Sequence, residues 1–372
     1  MHMADALISP AVGGAMWAAS AGLIGWSARR ASAGLDDRTV PLMGVIGSFV
    51  FAAQMINFTI PATGSSGHLG GGLLLAVLLG PHAAFLAMAS VLAVQALLFA
   101  DGGLLALGCN IFNLGFFPCF VAYPLVFAPL TRERLGRGRL LAASLLAAVL
   151  GLQLGALGVV LETVLSRTTE LSLAGFLLLM QPIHLAIGVV EGLATAAVVT
   201  FLWRARPELL QVARASAVAG TGSPPGGTAG GGRPLRRVVA ALLAATALLA
   251  GVASWLASTR PDGLEWSLLA AIGREEPATP AGGLHGSLSE LQRRTALLPD
   301  YSLPASTEAG EQGGEARQSE EAGQSEEAEQ GGATAWPNLE PGTSLAGLVG
   351  SAITMAAALA IGWLVRRRRD AA

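Results

Sequence analysis

The sequence predicts an all-α integral membrane protein: a polytopic helical bundle of about nine segments, N-terminus outside and C-terminus cytoplasmic. Three observations lead there. Only 13% of the 372 residues are charged, against about 25% in ordinary soluble domains. Apolar runs long enough to span a bilayer recur along most of the chain. The basic residues, all of them arginine, gather in short clusters between particular runs, and such clusters stay cytoplasmic.

Apolar runs lie at 8–28, 41–60, 69–100, 104–130, 139–161, 172–203, 238–257 and 344–365. Arg29, Arg30 and Arg38 follow the first, and Arg132, Arg134, Arg137 and Arg139 separate the fourth from the fifth. Arg204, Arg206, Arg233, Arg236 and Arg237 follow the sixth, and Arg366 to Arg369 follow the last. If the 29–40 loop is inside, the N-terminus and the 61–68 loop are outside. Returning 131–139 to the inside then requires 69–100 to cross an even number of times. Gly80-Pro81 sits mid-run. Proline removes a backbone donor and pushes the preceding residue out of the helical region, so the run divides into 69–79 and 82–100. The first piece is shorter than the ~20 residues of a square crossing. It must be buried among other helices or line a cavity.

Residues 1–205 form one transmembrane module with seven of the segments. Residues 206–235 form a linker whose 215–232 stretch is Gly/Pro/Ser-rich and flexible by composition. Residues 236–365 form a second module, two spans around an external loop at 258–343. The second half of that loop repeats Glu, Gln, Gly and Ala and is expected to be largely disordered. Residues 366–372 form a basic cytoplasmic tail. A net charge of −2 argues against a nucleic-acid partner, and the surroundings are the lipid bilayer. Cys109 and Cys119 read as small buried residues, since ten positions apart on one helix they cannot bridge. The first residues lack the positively charged start of a signal peptide, so the N-terminus is expected to be retained.

That N-terminus carries the sharpest chemistry. His2 stands beside the α-amino group of Met1, and a histidine there can offer a metal three nitrogens: the amine, its own deprotonated amide and its imidazole. His68, within Gly64-Ser65-Ser66-Gly67-His68-Leu69, can supply a fourth. Tetragonal nitrogen donors suit Ni(II) or Cu(II) better than tetrahedral Zn, and ligands that must lose protons bind less well as pH falls. The topology puts Met1, His2 and His68 on the same external face. Around His68 the 57–72 stretch is rich in glycine and hydroxyls, and Asn57, Ser65, Ser66 and Gly67 are candidates for a gate or a supporting shell. A phosphate loop fails because no lysine follows.

Gln54, Asn57, Gln95, Asn110, Asn113, Gln153, His184 and Glu191 are polar residues in apolar runs, a costly placement that usually faces a bundle interior. His184 and Glu191, seven apart, share a helix face. They read either as a proton or cation relay or, more simply, as structural contacts. Ala11, Ala15 and Ala19 form a small-residue stripe of the kind that lets helices approach. No Walker A, nucleophile elbow or HExxH sequence occurs, so the chain is not expected to be an enzyme. Uphill transport would need an ion gradient or a separate ATPase.

Met1-His2-Met3, the block from Gln54-Met55-Ile56-Asn57-Phe58 to Ser66-Gly67-His68-Leu69, and Asp101-Gly102-Gly103-Leu104 leading to Gly108-Cys109-Asn110-Ile111-Phe112-Asn113 occur in order. Together with His184 and Gly188-Val189-Val190-Glu191-Gly192 they resemble the substrate-binding membrane component (CbiM/NikM type) of energy-coupling-factor cobalt/nickel transporters. Pro261-Asp262-Gly263-Leu264-Glu265 is similar to the short motif of the NikN-like accessory component, here fused to the first module. The resemblance implies capture of Co²⁺ or Ni²⁺ as transported substrate, with no permanent cofactor. It implies that the amine of Met1, the amide and imidazole of His2 and the imidazole of His68 hold the metal under a 57–68 gate. It also implies partners: a transmembrane coupling component and two cytoplasmic ATPases. Two alternatives stand beside it. A gradient-driven metal permease would have only His184 and Glu191 for its coupling path. A vitamin-binding component of the same superfamily would want a larger, more aromatic cavity, and the chain has only Tyr123 and Tyr301 as tyrosines.

Overall fold

The computed structural model describes residues 2–32, 35, 39–211, 235–303 and 341–370, with side chains to 367 in the last stretch. Met1, Arg38, Arg233, the 215–232 linker, the acidic 304–340 stretch and the residues of the basic tail beyond Arg367 lie outside what it describes, the backbone to 370 excepted.

Helices α1 (Pro10–Ser32) and α2 (Thr39–Gln54) precede a hairpin of two very short strands, β1 (Phe58–Thr59) and β2 (Ser66–Gly67), paired antiparallel. The described residues are otherwise mostly helical, as the all-α expectation has it. A two-residue ladder leaves no periodicity in a sequence. Helices α3 (Gly72–Leu79) and α4 (Pro81–Phe99) follow, broken at Gly80, whose φ of 79° ends one helix while Pro81 opens the next. Every residue of α3 is buried. Its short span is sheltered by α2, α4 and α5 (Leu107–Arg132), as a segment too short to cross alone requires. Gly71 enters α3 at φ 76°, and a side chain there would run into Val50. The middle of α5, Phe112–Phe127, is wound with wide i→i+5 turns and contains Pro118 and Pro124, residues that supply no backbone donor.

Helices α6 (Arg137–Ser166) and α7 (Leu173–Ala205) form a long antiparallel pair. Gly188 and Gly192 of α7 lie directly against the backbone of Val149 and Leu145 of α6, the close approach that small residues allow. The alanine stripe of α1 faces outward from the described residues. Ala11, Ala15 and Ala19 are exposed, and α1 instead buries Gly13 and Ser20, whose hydroxyl donates to the Gly108 carbonyl at 2.6 Å.

The second module contributes α8 (Leu235–Gly251) and α11 (Pro341–Asp370), which pack on α2, with α11 also reaching α4. Between them, α9 (Gly263–Ile272) rests on α7 and α10 (Gly283–Thr295) rests on α4. Helices α4, α5, α6, α7 and α11 are long and apolar enough to cross a membrane.

The first half of the 258–343 loop is thus folded onto the first module. Ser258 N–H donates to the Asn57 carbonyl at 2.7 Å, Ser66 N–H to the Pro261 carbonyl at 2.8 Å, and Leu298 N–H to the Leu98 carbonyl at 3.1 Å. His285, which sequence patterning leaves unplaced, is buried with Nε2 2.9 Å from the Ile8 carbonyl.

Candidate metal centre

The N-terminal segment is extended and pinned. Asn110 of α5 reads both backbone groups of Met3: its Oδ1 accepts from Met3 N–H at 2.8 Å, and its Nδ2 donates to the Met3 carbonyl at 3.3 Å. Gly103 N–H donates to the same carbonyl at 2.9 Å. Asp5, also buried, accepts from Ala106 N–H at 2.9 Å, and no side chain fits at Gly103, against which Asp5 lies. A buried polar group inside a bundle is retained where it has partners, and the partners of Asn110 are what fix the chain end. Burial raises the Asp5 carboxyl above its ordinary value.

So anchored, His2 has its side chain only 8% exposed and its Nδ1 2.8 Å from Asp101 Oδ1. The other carboxylate oxygen of Asp101 accepts from the Tyr301 hydroxyl at 2.5 Å. Burial pushes the Asp101 carboxyl up, but the His2 imidazole and the Tyr301 hydroxyl together hold it below the usual carboxylate range. His2 Nε2 is buried without a hydrogen-bond partner among the described residues, an unusual state for a buried polar atom.

His68 follows the hairpin. Its Nδ1 lies 3.1 Å from the Leu69 carbonyl and its Nε2 3.9 Å from Asp262 Oδ2. An Nδ1–H donated to a carbonyl leaves Nε2 with the lone pair, the tautomer a metal ligand needs. Burial, then nearby positive charge including His2, lowers the His68 pKa to about 3, so the ring stays neutral at ordinary pH. The turn behind His68 is clamped from two sides. Glu191 of α7 accepts from Gly70 N–H at 2.7 Å and Gly71 N–H at 3.1 Å, while Gln54 Nε2 donates to the Gly70 carbonyl at 2.8 Å. Gln95 in turn donates to Gln54 at 3.1 Å.

The His2 and His68 rings meet with centroids 4.9 Å apart and planes 17° apart. Met1 lies outside the described residues, so the structure does not place its amine. Among the described residues no group of three or more His, Cys, Asp or Glu side chains is arranged to hold an ion. Side chains alone therefore supply the two imidazoles, with carboxylates behind them.

Two family models cover most of the chain: the cobalt uptake substrate-specific transmembrane region, CbiM, matches residues 2–209, and the PDGLE domain matches 236–367. The chain belongs to the CbiM family. A relative named as a fused nickel transport protein, NikMN, in Archaeoglobus fulgidus is 33% identical over 304 residues, covering 82% of this chain and 89% of the relative. The fused nickel transport protein NikMN of Rhodobacter capsulatus is 34% identical over 230 residues, covering 58% and 66%. The cobalt transport protein CbiM of Sorangium cellulosum is 32% identical over 184 residues, covering 46% and 76%. A crystal structure of a transition metal transporter, 32% identical, aligns over 55% of this chain and 93% of its own with a TM-score of 0.49. The chain is a multi-pass membrane protein of a metal-transport family.

Within this CbiM-type module, the remaining candidate residues make the following contacts. Asn57 offers its carbonyl to Ser258, Ser66 donates its hydroxyl to the Arg260 carbonyl at 2.7 Å, and the Ser65 hydroxyl donates to the Ser66 carbonyl at 3.0 Å. Gly67 lies against Ile187 of α7. These residues hold the His68 loop against the accessory segment, with the Arg260 and Pro261 carbonyls at its edge. His184 and Glu191 share a buried face of α7 but bond elsewhere, His184 Nδ1 lying 2.8 Å from its own helix carbonyl at Met180 and Glu191 holding the glycine turn. His184 also lines a cavity of about 10 Å³ with His68 and Asp262, room for about one water. Sequence patterning missed Tyr301 as a partner of the site, and it met Asp101 and Asp262 only inside matching motifs. All three act through contacts between segments far apart in the chain.

Proposed function

We propose that the chain captures Ni²⁺ or Co²⁺ at the external face of the cytoplasmic membrane as the substrate-specific subunit of an ATP-driven energy-coupling-factor transporter. A transmembrane coupling component and two cytoplasmic ATPases are its partners. The metal is cargo, held by the Met1 amine, the His2 amide and imidazole, and the His68 imidazole. In this reading nine segments cross or enter the bilayer with the N-terminus outside.

The observation that carries the reading is the separation of the two imidazoles. In a chelate built from an amine, the next amide and that residue's own imidazole, the amide lies between the other two donors. The fourth ligand is then cis to the chelated imidazole. With metal–nitrogen bonds of about 2.0 Å, cis imidazoles have ring centroids about 4.5 Å apart and trans ones about 6.3 Å. The 4.9 Å found between His2 and His68 supports the cis arrangement. Rotation about the Cβ–Cγ bond changes ring tilt with little movement of the centroid, so the separation is the quantity to compare. Ring closure through the His2 amide uses Nδ1, so metal displaces the proton shared with Asp101 and binding releases protons.

Planar nitrogen donors favour nickel, and the fused relatives are named for nickel. Uptake of labelled nickel by cells expressing this chain with its coupling component and ATPases is expected, with loss of uptake when the ATPases are inactivated. Uptake that persists without any ATPase would favour a gradient-driven permease instead.

A further inference from the structure

The Asp101 side chain, 24% exposed, is shared by two donors from different modules. Its Oδ1 lies 2.8 Å from His2 Nδ1, and its Oδ2 accepts from the Tyr301 hydroxyl at 2.5 Å. The first contact stands where the metal must go. A metal on Nδ1 is bound along the same in-plane direction as the hydrogen bond. With a metal–nitrogen bond of about 2.0 Å in that direction, an ion would sit far inside contact distance of Asp101 Oδ1. Ion and carboxylate oxygen therefore exclude each other there, and capture at Nδ1 requires Asp101 to let go of His2.

What Asp101 keeps when it lets go is Tyr301. Among the described residues, these two side chains are the donors on its carboxylate. A largely buried carboxylate left without a donor is costly. The accessory segment is fixed at this point by contacts that do not need the Tyr301 hydroxyl. Gln292 Nε2 donates to the Ala96 carbonyl at 2.9 Å and to the Gly102 carbonyl at 2.7 Å, and Leu298 N–H donates to the Leu98 carbonyl at 3.1 Å. The Tyr301 ring stacks on Phe99, with centroids 4.8 Å apart and planes 16° apart. Asp300 and Tyr301 adopt left-handed backbone at φ 50° and 56°. For a tyrosine this is a costly conformation, kept where the surroundings fix it and common at functional sites. Docking is thus complete without the hydroxyl, which is left to act on Asp101.

We propose that Tyr301 is a positioning residue for metal capture: its hydroxyl holds the Asp101 carboxylate so that His2 Nδ1 can be given up to the incoming ion. The inference rests on the capture reading above and gives the accessory segment a part in it. In the metal-free chain the carboxylate is divided between two donors, and in the loaded chain Tyr301 is the one that remains. The hydroxyl therefore stabilises the loaded state more than the free state, and only such a difference shifts a binding equilibrium. Without it Asp101 has His2 alone, and the ion must break that contact outright. The proton displaced from Nδ1 leaves to solvent, Asp101 keeps its charge, and no oxidation state changes.

The test is nickel titration calorimetry of the purified full chain, of Tyr301→Phe, of Asp101→Asn and of the double variant, each with its thermal transition. Tyr301→Phe keeps the ring and its stack on Phe99. It is expected to weaken nickel binding about tenfold, the low end for a residue outside the ligand shell. In the Asp101→Asn background the same substitution is expected to change affinity by no more than about twofold. In metal-free protein with nitrogen-labelled histidine, the His2 Nδ1–H resonance of Tyr301→Phe should move downfield, because Asp101 then bonds His2 more strongly. A hydroxyl that only anchors the segment would leave both that resonance and the affinity of the folded protein in place. That result, or an equal loss of affinity with and without the Asp101 carboxylate, would overturn the inference. A wild-type chain that binds neither Ni²⁺ nor Co²⁺ would instead overturn the capture reading.

Discussion

His2→Ala and His68→Ala are each expected to weaken nickel binding by about a hundred- to a thousandfold while the protein still inserts and folds. Four-ligand sites bind structural metal with about 10–16 kcal/mol. One ligand in four is then worth roughly 2.5–4 kcal/mol, and each 1.4 kcal/mol is tenfold. The fold should survive because each segment keeps other anchors when its ring is removed. Met3 stays bonded to Asn110 and Gly103, and Asp5 stays bonded to Ala106. The turn after residue 68 stays clamped by Glu191 and Gln54 through Gly70 and Gly71. Titration calorimetry of purified variants, with the thermal transition as a folding control, checks both halves of this expectation. Loss of affinity together with loss of folding would mean that the imidazoles are structural.

The second expectation concerns the chain end. Adding a single residue before Met1 converts the terminal amine into an amide. The chelate then loses a primary amine donor, and the added residue must fit where Asn110, Gly103 and Ala106 already hold residues 3 to 5 in place. Binding is expected to fall as far as in His2→Ala, although both imidazoles remain. Undiminished binding by the extended protein would remove the amine from the ligand set and leave a two-imidazole site.

Much of this arrangement was legible in residues whose chemistry is costly in an apolar run. Gln54, Gln95, Asn110 and Glu191 stood out because bilayer-embedded polar groups must find partners, and each is found buried and bonded near the His2 and His68 segments. The break in 69–100 was legible because Gly80-Pro81 has a strictly local effect. What remained hidden depends on docking. Glu191 lies one heptad from His184, yet its partners are the Gly70 and Gly71 amides, and helical spacing carries no information about such a contact. The site roles of Asp262 and Tyr301 arise only because the 258–303 segment folds over the first module. Its helices α9 and α10, of 10 and 13 residues, are too short to read as spans. The alanine stripe of α1 lies on an exposed face, so packing among the described residues neither uses nor tests it.

The most direct test of the central claim is the X-ray absorption spectrum of the full chain loaded with one equivalent of Ni²⁺. The account predicts a planar first shell of four nitrogen donors, at least two of them with the multiple-scattering signature of imidazole. A six-coordinate, oxygen-dominated shell would contradict it, because the metal would then rest among the carboxylates and not between His2 and His68.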